Sequence, residues 1–266
     1  MSPRDDPPVG RFDELVREAE RAPVVWDFEQ LEARAVEERP SWHYFDRVAE
    51  RAAACSTLLE VEAGVGRMTG SLPVLPRLAV ATEGFPPSVA LAAPRLRARG
   101  VPLVVTSQER PGLPFASDSF ELVVSRHPVE PWWQEIRRVL RPGGSYFAQH
   151  VGPDSLRSLS EFLMGPLPAE SRRDPAIERH AAEAAGLVVR VFDVERPRTA
   201  FFDVGAVVWF LRVVPWIVPD FSVAAYRERL FALHEVIERH GAFETRASRM
   251  LVEAVKPSPR SGAPSR

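Results

Sequence analysis

Leu58 to Gly66, LLEVEAGVG, narrows the folds open to this chain more than any other stretch. An apolar run that ends in an acid and then Gly-x-Gly reads as a buried strand delivering the chain into a glycine turn. Such a turn lets backbone approach a ligand closely, and the helix after it aims its first amides at whatever is bound there. Glycine also serves tight strand-to-helix turns for geometry alone, so the weight falls on the residues beyond Gly66.

Apolar strands and helical segments alternate from here. The strands read as LLEVE (58–62), RLAVAT (77–82), PLVVT (102–106), FELVVS (120–125) and SYFAQHV (145–151), with helices around Met68–Leu72, Pro87–Arg99 and Trp132–Leu140. Continuous apolar strands joined by helices imply a parallel sheet covered on both faces. Later strands near 187–194 and 248–255 bring the expectation to an α/β, doubly wound, mostly parallel seven-stranded sheet of Rossmann-like type. Ligands of such sheets bind beyond the carboxyl ends of the strands. Here those ends are Glu60–Gly66, Thr82–Gly84, Thr106–Glu109, Ser125–His127 and His150.

Around this core, residues 1–10 and 257–266 are rich in Pro, Ser and charge and are expected to be disordered tails. Residues 11–256 are expected to form one domain, with a helical N-terminal preface (11–54), a cofactor-binding core (55–152) and a C-terminal cap insertion with the final strands (153–256). The preface reads as three helices, FDELVREAE, FEQLEARAVEE and WHYFDRVAERAA, the last capped by Ser41. In the last third, the segment 201–221 is strongly apolar, but Asp203, Arg212, Pro215 and Pro219 interrupt it too often for a membrane span. Val204, Val207, Val208 and Leu211 have helical spacing and should lay an apolar face on the body of the protein. A helix capped by Ser222 places Tyr226, Leu230, Leu233 and Ile237 on one face.

Charge and cysteine usage remove several function classes. The 34 basic and 36 acidic side chains nearly cancel, leaving a formal net charge of −2 and no overall field for a phosphate backbone. Cys55 is the only cysteine and Lys256 the only lysine. A lone thiol and scattered histidines offer no metal site. The N-terminus lacks a signal-peptide core, so a cytoplasmic protein is expected.

Four features fall in order: the glycine turn E60-V-E-A-G64-V-G66, the acid Glu83 after the second strand, LPFASDSFELVVS around the fourth, and RVLRPGG before the fifth. In that order the sequence resembles the class I S-adenosylmethionine-dependent methyltransferases, over roughly Leu58 to Val151. The resemblance implies S-adenosylmethionine as cofactor. It places Gly64 and Gly66 against the methionine and adenosyl parts, Glu60 at the turn or the cofactor's amino group, and Glu83 at the ribose hydroxyls. Gln108 and Glu109 would lie near the adenine edge, with Ser125 and Arg126 on the rim. Glu62 departs from the family, which has glycine there; its charge would oppose the cofactor carboxylate unless turned away or paired, and Arg67 is a candidate partner. The NAD fingerprint wants a third small residue where this chain has Thr69, so a nicotinamide oxidoreductase is disfavoured.

For chemistry, His127 is the best-placed candidate base and His150 the second. A bland role, a hydrogen bond to a loop carbonyl or packing on adenine, weighs about equally for His127, and for His150 that of a satisfied rim histidine outweighs catalysis. His43 could close over the cofactor, while His180, His234 and His240, on charged helices, are expected in solvent. Arg126 could hold a substrate anion or pair with Glu130. Trp132, Phe201 and Trp209 are candidate substrate contacts in an aromatic lid, although aromatics in such a run are core by default. The expected acceptor is a small organic molecule methylated at O, N or C by a monomer or homodimer. The alternatives are a degenerate cofactor-binding or interaction domain and an RNA methyltransferase, the latter without an evident basic groove.

Overall fold

The computed structural model describes residues 8–106, 112–168 and 173–258. The order begins with helix α1 (Pro8–Arg21), a 3-10 turn (Phe28–Leu31), strand β1 (Ala35–Glu37), α2 (Tyr44–Ala54), β2 (Thr57–Glu60), α3 (Arg67–Gly70), β3 (Leu78–Glu83) and α4 (Pro86–Arg97). It continues with β4 (Leu103–Val105), β5 (Phe120–Arg126), α5 (Trp133–Val139), β6 (Leu140–Val151), α6 (Arg157–Met164) and α7 (Pro175–Ala184). The last elements are β7 (Val188–Glu195), β8 (Arg198–Phe201), α8 (Val204–Val213), α9 (Val223–His240), β9 (Phe243–Arg246) and β10 (Arg249–Val255).

These elements resolve into two compact units whose segments interleave along the chain. The larger comprises 40–153, 171–195 and 249–266, and holds a seven-stranded sheet in the order β4-β3-β2-β5-β6-β10-β7. Strands β2 to β6 pair in parallel and β10 runs antiparallel to both of its neighbours. All four residues of β2 are buried and β3 is buried from Ala79 onward, as a sheet covered on both faces requires. One face packs Val48, Leu58, Ala81, Leu96 and Phe147, the other Leu59, Val123, Ile136 and Tyr146. The expected seven-stranded, mostly parallel doubly wound sheet is therefore present. The Pro-Gly-Gly after α5 does not separate helix from strand but lies inside β6, where a Cβ on Gly144 would come within 2.9 Å of the Arg141 carbonyl and 3.0 Å of that of Phe120.

The smaller unit comprises 1–39, 154–170 and 196–248. It contains α1, α6, α8, α9 and an antiparallel sheet β1-β8-β9. Its core gathers Phe12, Val16, Leu159, Phe201, Leu211, Leu230 and Ile237. Helix α8 is buried on nearly all sides rather than along one face, as its apolar composition demands. Asp203 caps it through Ala206 N at 2.8 Å and receives the Arg34 guanidinium through both carboxylate oxygens, at 2.7 and 2.8 Å. Ser222 caps α9, whose Leu230, Leu233 and Ile237 are buried.

Several local expectations are corrected. FEQLEARAVEE is no helix: after one 3-10 turn the chain reverses at Ala33, in left-handed backbone (φ 63°), and joins the small sheet as β1, pairing Ala35–Glu37 with β8. Cross-strand pairing outweighs helical propensity there. Ser41 does not cap α2; His43 holds that position, while the Ser41 amide and hydroxyl donate to Glu195. Residues 8–10 begin α1 instead of belonging to a tail, and the rest of the expected tails, 1–7 and 259–266, lies outside the described residues. His234 is buried against Phe12 and Phe231, not solvated. Among the described residues no helix is long and apolar enough to cross a membrane, and no group of three potential metal ligands is found.

Candidate functional site

Sheet order reverses between β2 and β5: β3 and β4 extend one way from β2, while β6 lies beyond β5. This is the topological switch point, where open α/β sheets bind ligands. The glycine turn after β2 opens directly onto it. Gly64 has φ +57° and a Cβ there would meet nothing within 4 Å, so its backbone faces open space. Gly66 (φ +72°) serves packing instead, since a Cβ would lie 2.9 Å from Leu96. The turn is held from α4 by Arg95, which donates to the Val65 carbonyl.

Three carboxylates are anchored around the turn. Glu60, at the end of β2, is buried and accepts from Thr69 N at 3.1 Å, which ties the strand to α3. Burial pushes its pKa up to about 7. Glu83, fully buried at the end of β3, accepts from Gly64 N (2.6 Å) through one oxygen and from Gly84 N (2.8 Å) and Phe85 N (2.7 Å) through the other. Desolvation raises its pKa although all three donors oppose the shift. Glu62 adopts left-handed backbone (φ 55°), a conformation that costs a residue with a Cβ about 1 kcal/mol or more. Its carboxylate reaches the Val129 amide at 2.7 Å, in the loop beyond β5. Burial raises it to about 7 as well, with the Val129 amide and the Arg173 charge opposing that shift.

The rim residues have partners of their own. Ser125 is buried at the end of β5, and Arg126 is exposed. His127 (φ 57°) lies 2.9 Å from the Gln149 side-chain nitrogen, and Gln149 Oε1 accepts from the Trp42 indole at 2.8 Å. Desolvation, reinforced by Arg249 and Arg126, holds the His127 pKa well below its ordinary value. His150 is buried with Nε2 2.9 Å from the Tyr146 hydroxyl and Nδ1 3.8 Å from Glu178, and burial lowers its pKa to about 3. His43 is exposed at the start of α2.

The structure thus brings Glu60, Gly64, Gly66, Glu83, Ser125, Arg126, His127 and His150 to the carboxyl end of one sheet. Trp132 is half-buried at the N-terminus of α5 in the same unit. Phe201 and Trp209 belong to the core of the smaller unit, against Phe210 and Phe28 respectively, and the Trp209 indole donates to the Pro23 carbonyl. Gln108 and Glu109 lie outside the described residues. Sequence reasoning missed Val129, Arg173 and Gln149, which act through an amide, a charge and an amide side chain that no motif marks. Open backbone at Gly64 and acceptor carboxylates around the turn fit a ligand carrying ammonium and hydroxyl donors, as S-adenosylmethionine does.

Residues 59–148 match the family described as "Methyltransferase domain". No curated protein matches the chain. Among solved structures, a protein of unknown function from Deinococcus radiodurans R1 is 15% identical with a TM-score of 0.56, covering 93% of this chain and 99% of its own. A candidate methyltransferase, BH2331 of Bacillus halodurans C-125, is 16% identical with a TM-score of 0.55, covering 80% and 99%. YcgJ of Bacillus subtilis is 15% identical with a TM-score of 0.55, covering 82% and 100%. At these identities the structural likeness establishes the fold, and within it residues 59–148, which carry the glycine turn, match a methyltransferase domain.

Proposed function

We propose that this chain, through its class I S-adenosylmethionine-dependent methyltransferase domain, methylates an oxygen, nitrogen or carbon atom of a small organic molecule. The observation that carries the reading is the open glycine turn at the switch point, flanked by carboxylates already anchored on backbone amides. Acidic surroundings and a net charge of −2 favour a small acceptor over a polyanion.

When bound, the cofactor supplies a methyl group activated by its cationic sulfur. The chain's part is to hold and align. A carboxylate offers about four acceptor positions; Glu83 uses three on amides and so ties the end of β3 to the glycine turn. Glu60 stiffens the junction of β2 and α3, so the turn is preorganised before binding. His127 offers no free basic nitrogen in this arrangement, because the Gln149 amide engages its Nε2, and burial holds the His150 pKa down to about 3. Rate enhancement then comes from in-line placement and exclusion of water rather than from an imidazole base.

Calorimetric titration with S-adenosylmethionine, S-adenosylhomocysteine and NAD, followed by methyl-labelled transfer to a small-molecule panel and to RNA, tests the reading. Micromolar binding of the first two alone, with label entering a small molecule, is expected; label entering RNA only would overturn the acceptor class. A second reading, cofactor binding without turnover, is favoured by Glu62, whose charge stands where the family has glycine. Turnover of any acceptor would eliminate it.

A further inference from the structure

Glu62 joins the two sides of the switch point. Its backbone belongs to the turn after β2, and its carboxylate accepts from Val129 N, at 2.7 Å, in the loop after β5. The bridge is further fixed by Arg173, which donates to the Val129 carbonyl (3.4 Å) and to that of Val151 at the end of β6 (3.2 Å). A ligand seated in the crevice therefore meets a carboxylate held in place by backbone, on a residue whose left-handed conformation would suit glycine better. A strained residue retained at a binding turn, with its side chain locked across the crevice, points to a role in binding.

We propose that Glu62 is a specificity-determining residue that makes the site favour the sulfonium form of the cofactor over its neutral thioether product. The inference rests on the cofactor reading above. S-adenosylmethionine and S-adenosylhomocysteine share ammonium, carboxylate, ribose and adenine; they differ by one methyl group and one positive charge at sulfur. A fixed carboxylate in a partly desolvated crevice interacts with that charge alone of all the differences. Product would then leave more readily than substrate, which relieves the inhibition that a shared binding surface otherwise imposes.

The charged and titratable groups around Glu62 are Glu83 at the end of β3, Glu130 in the loop beyond β5, Arg173 ahead of α7 and Tyr146 on β6. With its pKa near 7, Glu62 is anionic above that pH and neutral below it. Discrimination should therefore grow as pH rises from about 6 to about 8.

The test is calorimetric affinity for both compounds at pH 6 and pH 8 with wild type, Glu62→Gln and Glu62→Gly. Gln keeps an acceptor for Val129 N without the charge, and Gly suits the left-handed backbone, so at least one variant retains the fold. Wild type at pH 8 is expected to prefer the sulfonium by about tenfold. That preference should shrink to within about threefold in both variants, and at pH 6 in wild type. Equal weakening of both ligands would make Glu62 a holder of their common part, and equal tightening would make it an obstruction; either overturns the proposal. Failure of wild type to bind either compound would instead overturn the cofactor reading itself.

Discussion

Gln149 fixes the tautomer of His127. The Trp42 indole can only donate, so the Gln149 oxygen faces it at 2.8 Å and the amide nitrogen must face His127 Nε2, at 2.9 Å. His127 Nε2 is then an acceptor and its proton sits on Nδ1.

A base needs a free lone pair and a pKa near the working pH, and His127 has neither while Gln149 is in place. His127→Asn should keep kcat/KM within about tenfold, since Asn tolerates the left-handed backbone at this position. Removing a general base typically costs about 100-fold or more. A loss of that size in His127→Asn, with cofactor affinity preserved, would restore the imidazole to the chemistry.

The same pair separates the legible parts of this site from the rest. Residues of the turn, Glu83 and the rim histidines follow from strand ends, because a strand's carboxyl end is a position in sequence as well as in space. What His127 is bonded to depends on Trp42 and Gln149, 85 residues before and 22 after it, brought together by α2 and β6 packing on one sheet. The small sheet escapes a sequence reading for a related reason. Ala35–Glu37 has no strand signature of its own and becomes β1 only because β8, more than 160 residues later, offers an edge. Composition marks Phe201 and Trp209 as a lid, but burial consumes both rings in a core that their own unit builds.

Glu60 should make the ligand-free protein less stable as pH rises. Its folded pKa of about 7 exceeds the ordinary 4.5, so the native state holds a proton that the unfolded chain releases. Stability from this group is complete below the unfolded value and is lost as pH rises through the folded one. Between pH 6 and pH 8 that is a loss of about 1 kcal/mol. His150, with its folded pKa lowered to about 3, works the other way and destabilises the native state below its ordinary 6.5. Urea unfolding across this range should show Glu60→Gln with a flatter decline toward pH 8 than wild type. Parallel profiles would mean that Glu60 is ionised throughout.

Asp203 carries two duties in the smaller unit, capping α8 and pairing with Arg34. Asp203→Ala removes both and leaves a half-buried guanidinium short of its main partner. A loss of about 3 kcal/mol is expected, of which the cap accounts for about 1. Asp203→Asn keeps the cap and should fall between. Tryptophan fluorescence during urea unfolding follows this unit through Trp26 and Trp209. An Ala variant within about 0.5 kcal/mol of wild type would show that the pair merely breaks even with solvent.

Lys256 is the chain's only lysine, and it follows directly on the last residue of β10. Its ammonium donates to Asp118 Oδ1 (2.6 Å) and to the Leu140 carbonyl (2.8 Å), at the point where Gly143 N and Lys256 N donate to Lys256 O and Gly144 O. It therefore pins the end of β10 to the start of β6, and the whole residue is 9% exposed. A compact cation with three donors suits this corner; Arg would need room for a planar fork. Lys256→Met keeps the stem but leaves the Leu140 carbonyl without its donor, at a cost of about 1–3 kcal/mol. Because a bonded, buried ammonium cannot act as a nucleophile, amine-directed labelling of Lys256 should track global unfolding. Under native conditions, mass spectrometry should find label on the α-amino group long before Lys256, and denaturant should erase the difference. Equal labelling of both amines in the folded protein would show that the β6–β10 corner opens locally.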